Sequence, residues 1–367
     1  MKITDVEIYQ LGERASPGSA TWASNSILLK LTTSDGTVGF GEAVPTLRVQ
    51  PVIQSPMSFE STTAVSAFDI ACWDIIGKHF GASIHDLMGG TFRSRVRLYL
   101  NGWYNDCVTP AQFGEAATKS VAKSYTALKF DPFGDSYDYI EKPDLNLARS
   151  RVKAVQDATQ GKIDLLIEHH GRFNPTSAIM AAKMLEEFSP LFAEEPIHPD
   201  NIDGLKKYRA ATSLRVALGE RLLTKEQVIH VLSNNLADFL QVDLTNIGGI
   251  TQARKVSAIA ESYGVEMAFH NAFGPIQNAA TIQLDATIPN FLIQESFYDC
   301  FPEWKRQLVN SEPKVERGYS TVPNKPGIGV DVNEKILDKY KVEGQEYFNP
   351  AEPVWVVKNT WNNPKEH

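Results

Sequence analysis

Between residues 126 and 296, seven short apolar runs each close on an ionisable residue: TALKFD, DLLIEHH, PLFAEEP, LRVALGER, DFLQVD, VEMAFHN and NFLIQES carry Lys129, Glu168, Glu194, Glu220, Asp243, His270 and Glu295 at their ends. From Glu168 onward the steps are 26, 26, 23, 27 and 25 residues, room for one strand and one helix each. Amphipathic stretches such as PAQFGEAATKSVAK, NLARSRVKAVQDA and NPTSAIMAAKMLEEF fill the intervals, and that alternation predicts a parallel α/β architecture. Strands covered on both faces read as continuous apolar runs, and in a closed barrel of such units all the C-terminal ends meet at one rim. With VRLYLNGWY as the first barrel strand, eight strands can be counted. An open doubly wound sheet would spread its strand ends along a line, and it usually carries a glycine-rich phosphate turn after the first strand. NIGGI, residues 246–250, is the nearest candidate for such a turn and is a weak one.

The chain before this region has another character. KITDVEIYQL alternates as a strand, ERASPGSATWAS reads as a loop, and NSILLKLTTSDGTVGFGEAVP predicts two strands turning at Ser34, Asp35 and Gly36. From Ser61 a helix is predicted with Val65, Phe68, Cys72, Ile75 and Ile76 on one face and Gly81 at its end.

Composition removes several classes of function. A formal net charge of -8 argues against a nucleic-acid-binding protein. Three widely spaced cysteines indicate neither a disulfide framework nor a CxxC metal site. No signal-peptide pattern and no apolar run of membrane-spanning length is present, so a cytoplasmic protein without membrane contact is expected.

Glu168, Glu194 and Glu220 on consecutive strand ends would crowd like charges in a partly buried site, which needs a counter-ion. A hard divalent cation fits an oxygen-only set, and Mg²⁺ is the expected one. The plain alternative pairs each glutamate with a nearby base, Arg221 beside Glu220 and Arg172 near Glu168. Asp243 and His270 fall on adjacent strand ends, where a carboxylate can fix the tautomer of an imidazole and make its other nitrogen a general base; a structural histidine is the competing reading. Lys129 is a second acid or base, a fixed positive charge, or a lysine paired with Asp131.

The phrases SATWAS, GEAVPTLRV, AFDIACWDIIGK, ALKFDPFG, LLIEHHGRFN, VALGER, DLTNIGGI, AFHNAFG and KPGIGV closely resemble the gluconate/galactonate dehydratases of the mandelate racemase branch of the enolase superfamily, over nearly the whole chain. The resemblance implies a (β/α)₇β barrel, a TIM-like fold, at residues 94–320, with an α+β capping domain made from residues 1–93 and completed by residues 321–367. It implies Mg²⁺ on Glu168, Glu194 and Glu220, Asp243 and His270 as a catalytic dyad, Glu295 at the final strand end, and a homo-oligomer acting on a small sugar acid. His170 is then the expected acid for a leaving hydroxyl, His169 points away, and Arg172 and Asp131 hold substrate. The motif KFD stands where a racemase commonly has KxK, which disfavours a racemase or cycloisomerase. A metal-dependent hydrolase and a non-catalytic metal-binding barrel are the remaining alternatives. Against this family, the segment VQPVIQSPMSFES is short by about two helices' worth of chain, so either the cap lacks helices between residues 50 and 60 or the sequence joins there across a segment it does not include, and the undisturbed flanking motifs favour the second.

Overall fold

The computed structural model describes residues 1–12, 25–44, 59–310 and 314–342. The loop ERASPGSATWAS and the short segment before the first helix lie outside the described residues, wholly or for the most part, as does the end of the chain.

Three antiparallel strands, β1 (Ile3–Gly12), β2 (Asn25–Thr33) and β3 (Val38–Ala43), form a sheet in the order β1-β2-β3. Gly36 makes the β2–β3 turn with φ +83°, a conformation glycine adopts without cost. Against the sheet lies α1 (Phe59–Phe80). Its buried side differs from the predicted one: Ala67, Ile70, Ala71 and Ile75 face inward while Val65 and Phe68 are exposed. The reason is close approach. A Cβ at Gly41 would come 1.8 Å from the Ala67 carbonyl oxygen, and one at Gly39 would come 2.3 Å from that of Ala71, so helix and strand meet through small residues and the large ones are turned aside. A short α2 (Ile84–Leu87) follows, capped by Ser83.

Eight parallel strands come next: β4 (Arg95–Leu100), β5 (Ala127–Phe130), β6 (Asp164–Glu168), β7 (Phe192–Glu194), β8 (Val216–Leu218), β9 (Phe239–Leu240), β10 (Glu266–Met267) and β11 (Gln294–Ser296). They pair in sequence order from β4 to β10, and β11 pairs with β4. Met267 bridges Phe291, and the Leu292 amide donates to the Met267 carbonyl at 2.9 Å. Hydrogen bonds therefore run from β4 round to β10 and return to β4 through the β11 segment. The helices α3 (Pro110–Ala122), α4 (Lys142–Ala158), α5 (Pro175–Leu185), α6 (Ile202–Ala211), α7 (Lys225–Ser233), α8 (Leu244–Ile247), α9 (Gly249–Ser262) and α10 (Pro275–Thr287) occupy the intervals. Their starts are written locally: Thr109 with Gln112 and Thr224 with Gln227 form capping boxes, and Asn174 caps α5.

After α11 (Glu303–Arg306), the hairpin β12 (Val315–Glu316) and β13 (Tyr319–Thr321) adds antiparallel to β4. The helix α12 (Glu334–Tyr340) then brings the chain back to β1, where Lys341 bridges Leu11 and the Val342 amide donates to Gln10 at 2.9 Å. No helix among the described residues is long and apolar enough to cross a membrane.

One residue from each of the eight strand segments builds the inner core: Tyr99, Ala127, Leu166, Phe192, Ala217, Phe239, Ala268 and Ile293. Side chains alternate along a strand, so the residue two positions further on faces the same interior, one layer nearer the rim. Those residues are Asn101, Lys129, Glu168, Glu194, Gly219, Gln241, His270 and Glu295. The apolar layer is the floor of a polar one.

Candidate active site

Glu168 and Glu194 are direct partners in the β6–β7 register. Glu220 joins them from one residue beyond Gly219, where any Cβ would lie 2.3 Å from the Gln241 backbone. One oxygen from each of the three carboxylates lies within 4.8 Å of the other two. Lys129, with its side chain 1% exposed, sits beneath them. Its ammonium is 2.6 Å and 2.8 Å from the two Glu194 oxygens, 2.7 Å from Glu295 Oε1 and 3.4 Å from Glu168 Oε2. The expected alternative of a pairing with Asp131 is not what the side chain does. Gln241 Nε2 donates to Glu194 Oε2 at 2.8 Å. Burial, and next the charge of Glu194, push the Glu168 carboxyl well above the usual carboxylate range. Glu220 feels the same burial, but Arg221 and His270 hold it down at about 2.

The second cluster is the pair expected at the ends of β9 and β10. Asp243 bridges His270 along the backbone, and His270 Nδ1 donates to Asp243 Oδ2 at 2.5 Å. The other carboxylate oxygen accepts from the Thr245 amide and hydroxyl, both at 2.6 Å, and from Gln277 Nε2 at 2.8 Å. Four donors leave Asp243 one orientation, which keeps the proton on Nδ1 of the neutral ring and turns Nε2 into the mouth. There Nε2 lies 3.3 Å from Glu220 Oε2 and 3.8 Å from Glu295 Oε2. Burial opposes a charge on the ring, yet Glu295, Asp243 and Glu220 raise the His270 pKa to about 10 when only these side chains are present. Glu295 is itself fixed, by Asn101 Nδ2 at 2.7 Å and the Asn271 amide at 2.9 Å.

The third group is the corner Glu168-His169-His170. His169 is fully buried, its Nδ1 donating to the Glu194 carbonyl at 3.1 Å and its ring centroid 4.7 Å from that of Phe133. His170 adopts φ +56°, and its amide donates to Glu168 Oε1 at 2.5 Å. Its side chain is 21% exposed at the mouth, with Nδ1 donating to Asp131 Oδ2 at 3.1 Å. Arg172 and Asp131 form a bidentate pair at 2.6 Å and 2.9 Å, with side chains 1% and 7% exposed. Despite its burial, Asp131 is held far below the usual carboxylate range by Arg172 and His170. The pair orients His170. Arg172→Ala is expected to destabilise the fold by about 3 kcal/mol, measured by urea unfolding, because Asp131 loses its main counter-charge while buried.

The structure thus gathers Glu168, Glu194, Glu220, Asp243, His270, Glu295 and Lys129 around one mouth, with His170 at its edge. It also supplies residues that sequence reasoning missed. Asn101 and Gln241 were findable, since each lies two positions after an inner-core residue. Glu195, buried, contacts Arg221, which also contacts Glu220; burial pushes its carboxyl up to about 7 against the pull of Arg221. Gln277 carried no signal, because it sits inside a helix distant in sequence from both members of the pair.

Residues 112–336 match the family described as enolase C-terminal domain-like. The chain belongs to the enolase superfamily. A D-gluconate dehydratase of Thermoproteus tenax is 44% identical to it over 389 residues, 98% of this chain and 78% of that protein. A D-gluconate/D-galactonate dehydratase of Picrophilus torridus is 44% identical, with 98% and 99% covered. Among solved structures, a mandelate racemase/muconate lactonizing enzyme from a Sulfitobacter species superposes with a TM-score of 0.85 at 32% identity, covering 95% of this chain and 97% of that one. Of residues 50–60, where the cap is expected to be short, 50–58 lie outside the described residues and 59–60 begin α1.

The three glutamates fit a divalent metal. They offer only oxygen atoms, one from each carboxylate, spaced closely enough to share one ion.

Proposed function

We propose that the protein is a Mg²⁺-dependent hydro-lyase that dehydrates a six-carbon aldonic acid, D-gluconate and/or D-galactonate, to the 2-keto-3-deoxy acid. The observation that carries this reading is the placement of His270 Nε2 at 3.3 Å from Glu220, so that the base and the carboxylate cluster serve one small space. The two dehydratase relatives, 44% identical over nearly the whole chain, support the substrate class.

A divalent cation held by Glu168, Glu194 and Glu220 would offset their charge and favour the negative charge that develops on the substrate's carboxylate as its C2 proton becomes acidic. His270, with Asp243 holding Nδ1, takes the C2 proton on Nε2. The electron pair left at C2 expels the C3 hydroxyl, which accepts a proton from His170 and departs as water. In ring order His170 follows β6 and His270 follows β10, with the ends of β7, β8 and β9 between them, so acid and base approach a bound chain from different parts of the rim. The enol formed then tautomerises to the 2-keto acid. Lys129, bonded to Glu194 and Glu295, acts as a fixed positive charge, and the Asp131–Arg172 pair keeps His170 aimed at the mouth. Three unpaired cysteines accord with a cytoplasmic enzyme. Exposed Val6, Ile8, Val65 and Phe68 on the cap accord with a homo-oligomer.

The test is a panel of aldonic acids with Mg²⁺ or EDTA, with product trapped by semicarbazide. A 2-keto acid is expected from at least one six-carbon acid, abolished by EDTA and restored by Mg²⁺. An epimer or a rearranged isomer in place of the 2-keto acid would overturn the reading.

A further inference from the structure

The orientation of Asp243 depends on Gln277, and Gln277 is the third residue of α10. The start of that helix has an unusual cap. Its N-cap position is Gly274, which has no side chain to offer the first amides. They are served from the other end of the chain: Glu42 of β3 accepts from the Ile276 amide at 3.2 Å and the Gln277 amide at 3.0 Å through Oε2. Oε1 of Glu42 accepts from the Ser26 hydroxyl at 3.2 Å. Gly274 is needed for this contact, since a Cβ there would lie 1.9 Å from Glu42 Oε1. A carboxylate at a helix N-terminus meets both unpaired amides and the positive end of the helix dipole.

Glu42 is fully buried, which is expensive for an acid unless it is compensated. Lys305 of α11, also fully buried, donates to the Asn25 carbonyl at 2.8 Å next to Ser26. Burial raises the Glu42 carboxyl and lowers the Lys305 ammonium to about 8, while each charge acts on the other in the opposite sense. A buried acid is thus maintained at a site where a serine or threonine at position 274 would cap the helix at less cost.

We propose that Glu42 is a positioning residue for the Asp243–His270 pair, acting from the cap sheet through the first turn of α10 and the side chain of Gln277. The path is continuous: Glu42 holds the Gln277 amide at 3.0 Å, Gln277 Nε2 holds Asp243 Oδ1 at 2.8 Å, and Asp243 holds His270 at 2.5 Å. Gln277 Oε1 also accepts from the Phe273 amide at 2.8 Å, which ties its side chain to the loop that follows His270. The cap is thereby joined to the base of the barrel site by an ordered contact and not only by covering it. This role rests on the dehydratase reading for its kinetic consequence but not for its structural one.

The experiment compares Glu42→Ala, Glu42→Gln, Gly274→Ala and Gln277→Ala in the Mg²⁺-loaded enzyme, with melting temperature recorded for each. Glu42→Ala and Gly274→Ala are each expected to lower kcat by about 10- to 100-fold with KM within about twofold of wild type. Glu42→Gln keeps an acceptor oxygen for the two amides and loses less. The double variant Glu42→Ala/Gln277→Ala is no slower than Gln277→Ala alone, because the two residues act in series. Independently of substrate, ¹⁵N-histidine labelling reads the Nδ1–H resonance of His270, assigned by its loss in His270→Asn; that signal shifts in Glu42→Ala and in Gly274→Ala. Additive losses in the double variant, losses that follow melting temperature alone, or an unmoved His270 signal would overturn the proposal. If wild type forms no 2-keto acid while the His270 signal still shifts, it is the dehydratase reading that fails and the positioning role that stands.

Discussion

His270→Asn is expected to lower kcat for aldonate dehydration by about 10⁴-fold, the upper range for losing a positioned general base. Asparagine keeps a donor that can reach Asp243, so the 2.5 Å contact that anchors the ring has a replacement and the fold is expected to persist. What disappears is the acceptor at Nε2, which in the native protein stands 3.3 Å from Glu220. The measurement is single-turnover loss of the C2 hydrogen with protein in excess, which separates proton abstraction from later steps. His270 touches neither Glu168 nor Glu194, and Glu220, which it does approach, keeps Arg221 as a partner, so metal affinity is expected to stay within an order of magnitude of wild type. Turnover at the wild-type rate would remove His270 from the chemistry, and with it the dyad.

Glu168→Gln is the second large effect, and it separates function from stability. Removing one of three crowded carboxylates is expected to lower kcat by about 10²- to 10³-fold, on the scale of losing one electrostatic contact to the developing charge. Yet in EDTA the variant is expected to melt no lower than wild type. Glu168 is buried beside Glu194, its carboxyl is pushed up by burial and by that neighbour, and glutamine retains an oxygen for the His170 amide now at 2.5 Å. Groups placed for function at a cost in stability behave in this way. A fall in both activity and melting temperature would mark Glu168 as a structural residue.

The ring of strand ends was legible in the sequence because two physical rules coincide there. Strands buried on both faces must be apolar until they reach the rim, and side chains must alternate, so a charged residue two positions after a packed one faces the mouth. Lys129 after Ala127, Glu168 after Leu166 and Glu295 after Ile293 all follow that pattern. Glu220 does not, because Gly219 takes the inward position against Gln241, and it was found only through the regular spacing. The face of α1 was misread, since apolar periodicity favoured Val65 and Phe68 while Gly39 and Gly41 on a strand far behind in sequence made Ala67 and Ala71 the contact. The burial of Arg172 against Asp131 was equally hidden: a base near a strand end can serve a ligand or a neighbouring acid, and only the fold decides. Gln277 and Glu42 lie beyond sequence reasoning for a related reason. Each acts across elements, one from a helix and one from a separate sheet, and nothing in their local pattern marks the carboxylate or helix end they meet.

The central claim is that three glutamates from neighbouring strands share one doubly charged ion that the chemistry requires. Isothermal titration of the EDTA-stripped, dialysed protein with Mg²⁺, followed by assay of the same samples on D-gluconate and D-galactonate, tests it most directly. The account predicts one ion bound per chain, no turnover before titration, and activity rising in proportion to the ion bound. Full activity in the stripped protein, or an equal heat of binding in Glu168→Gln and wild type, would contradict it.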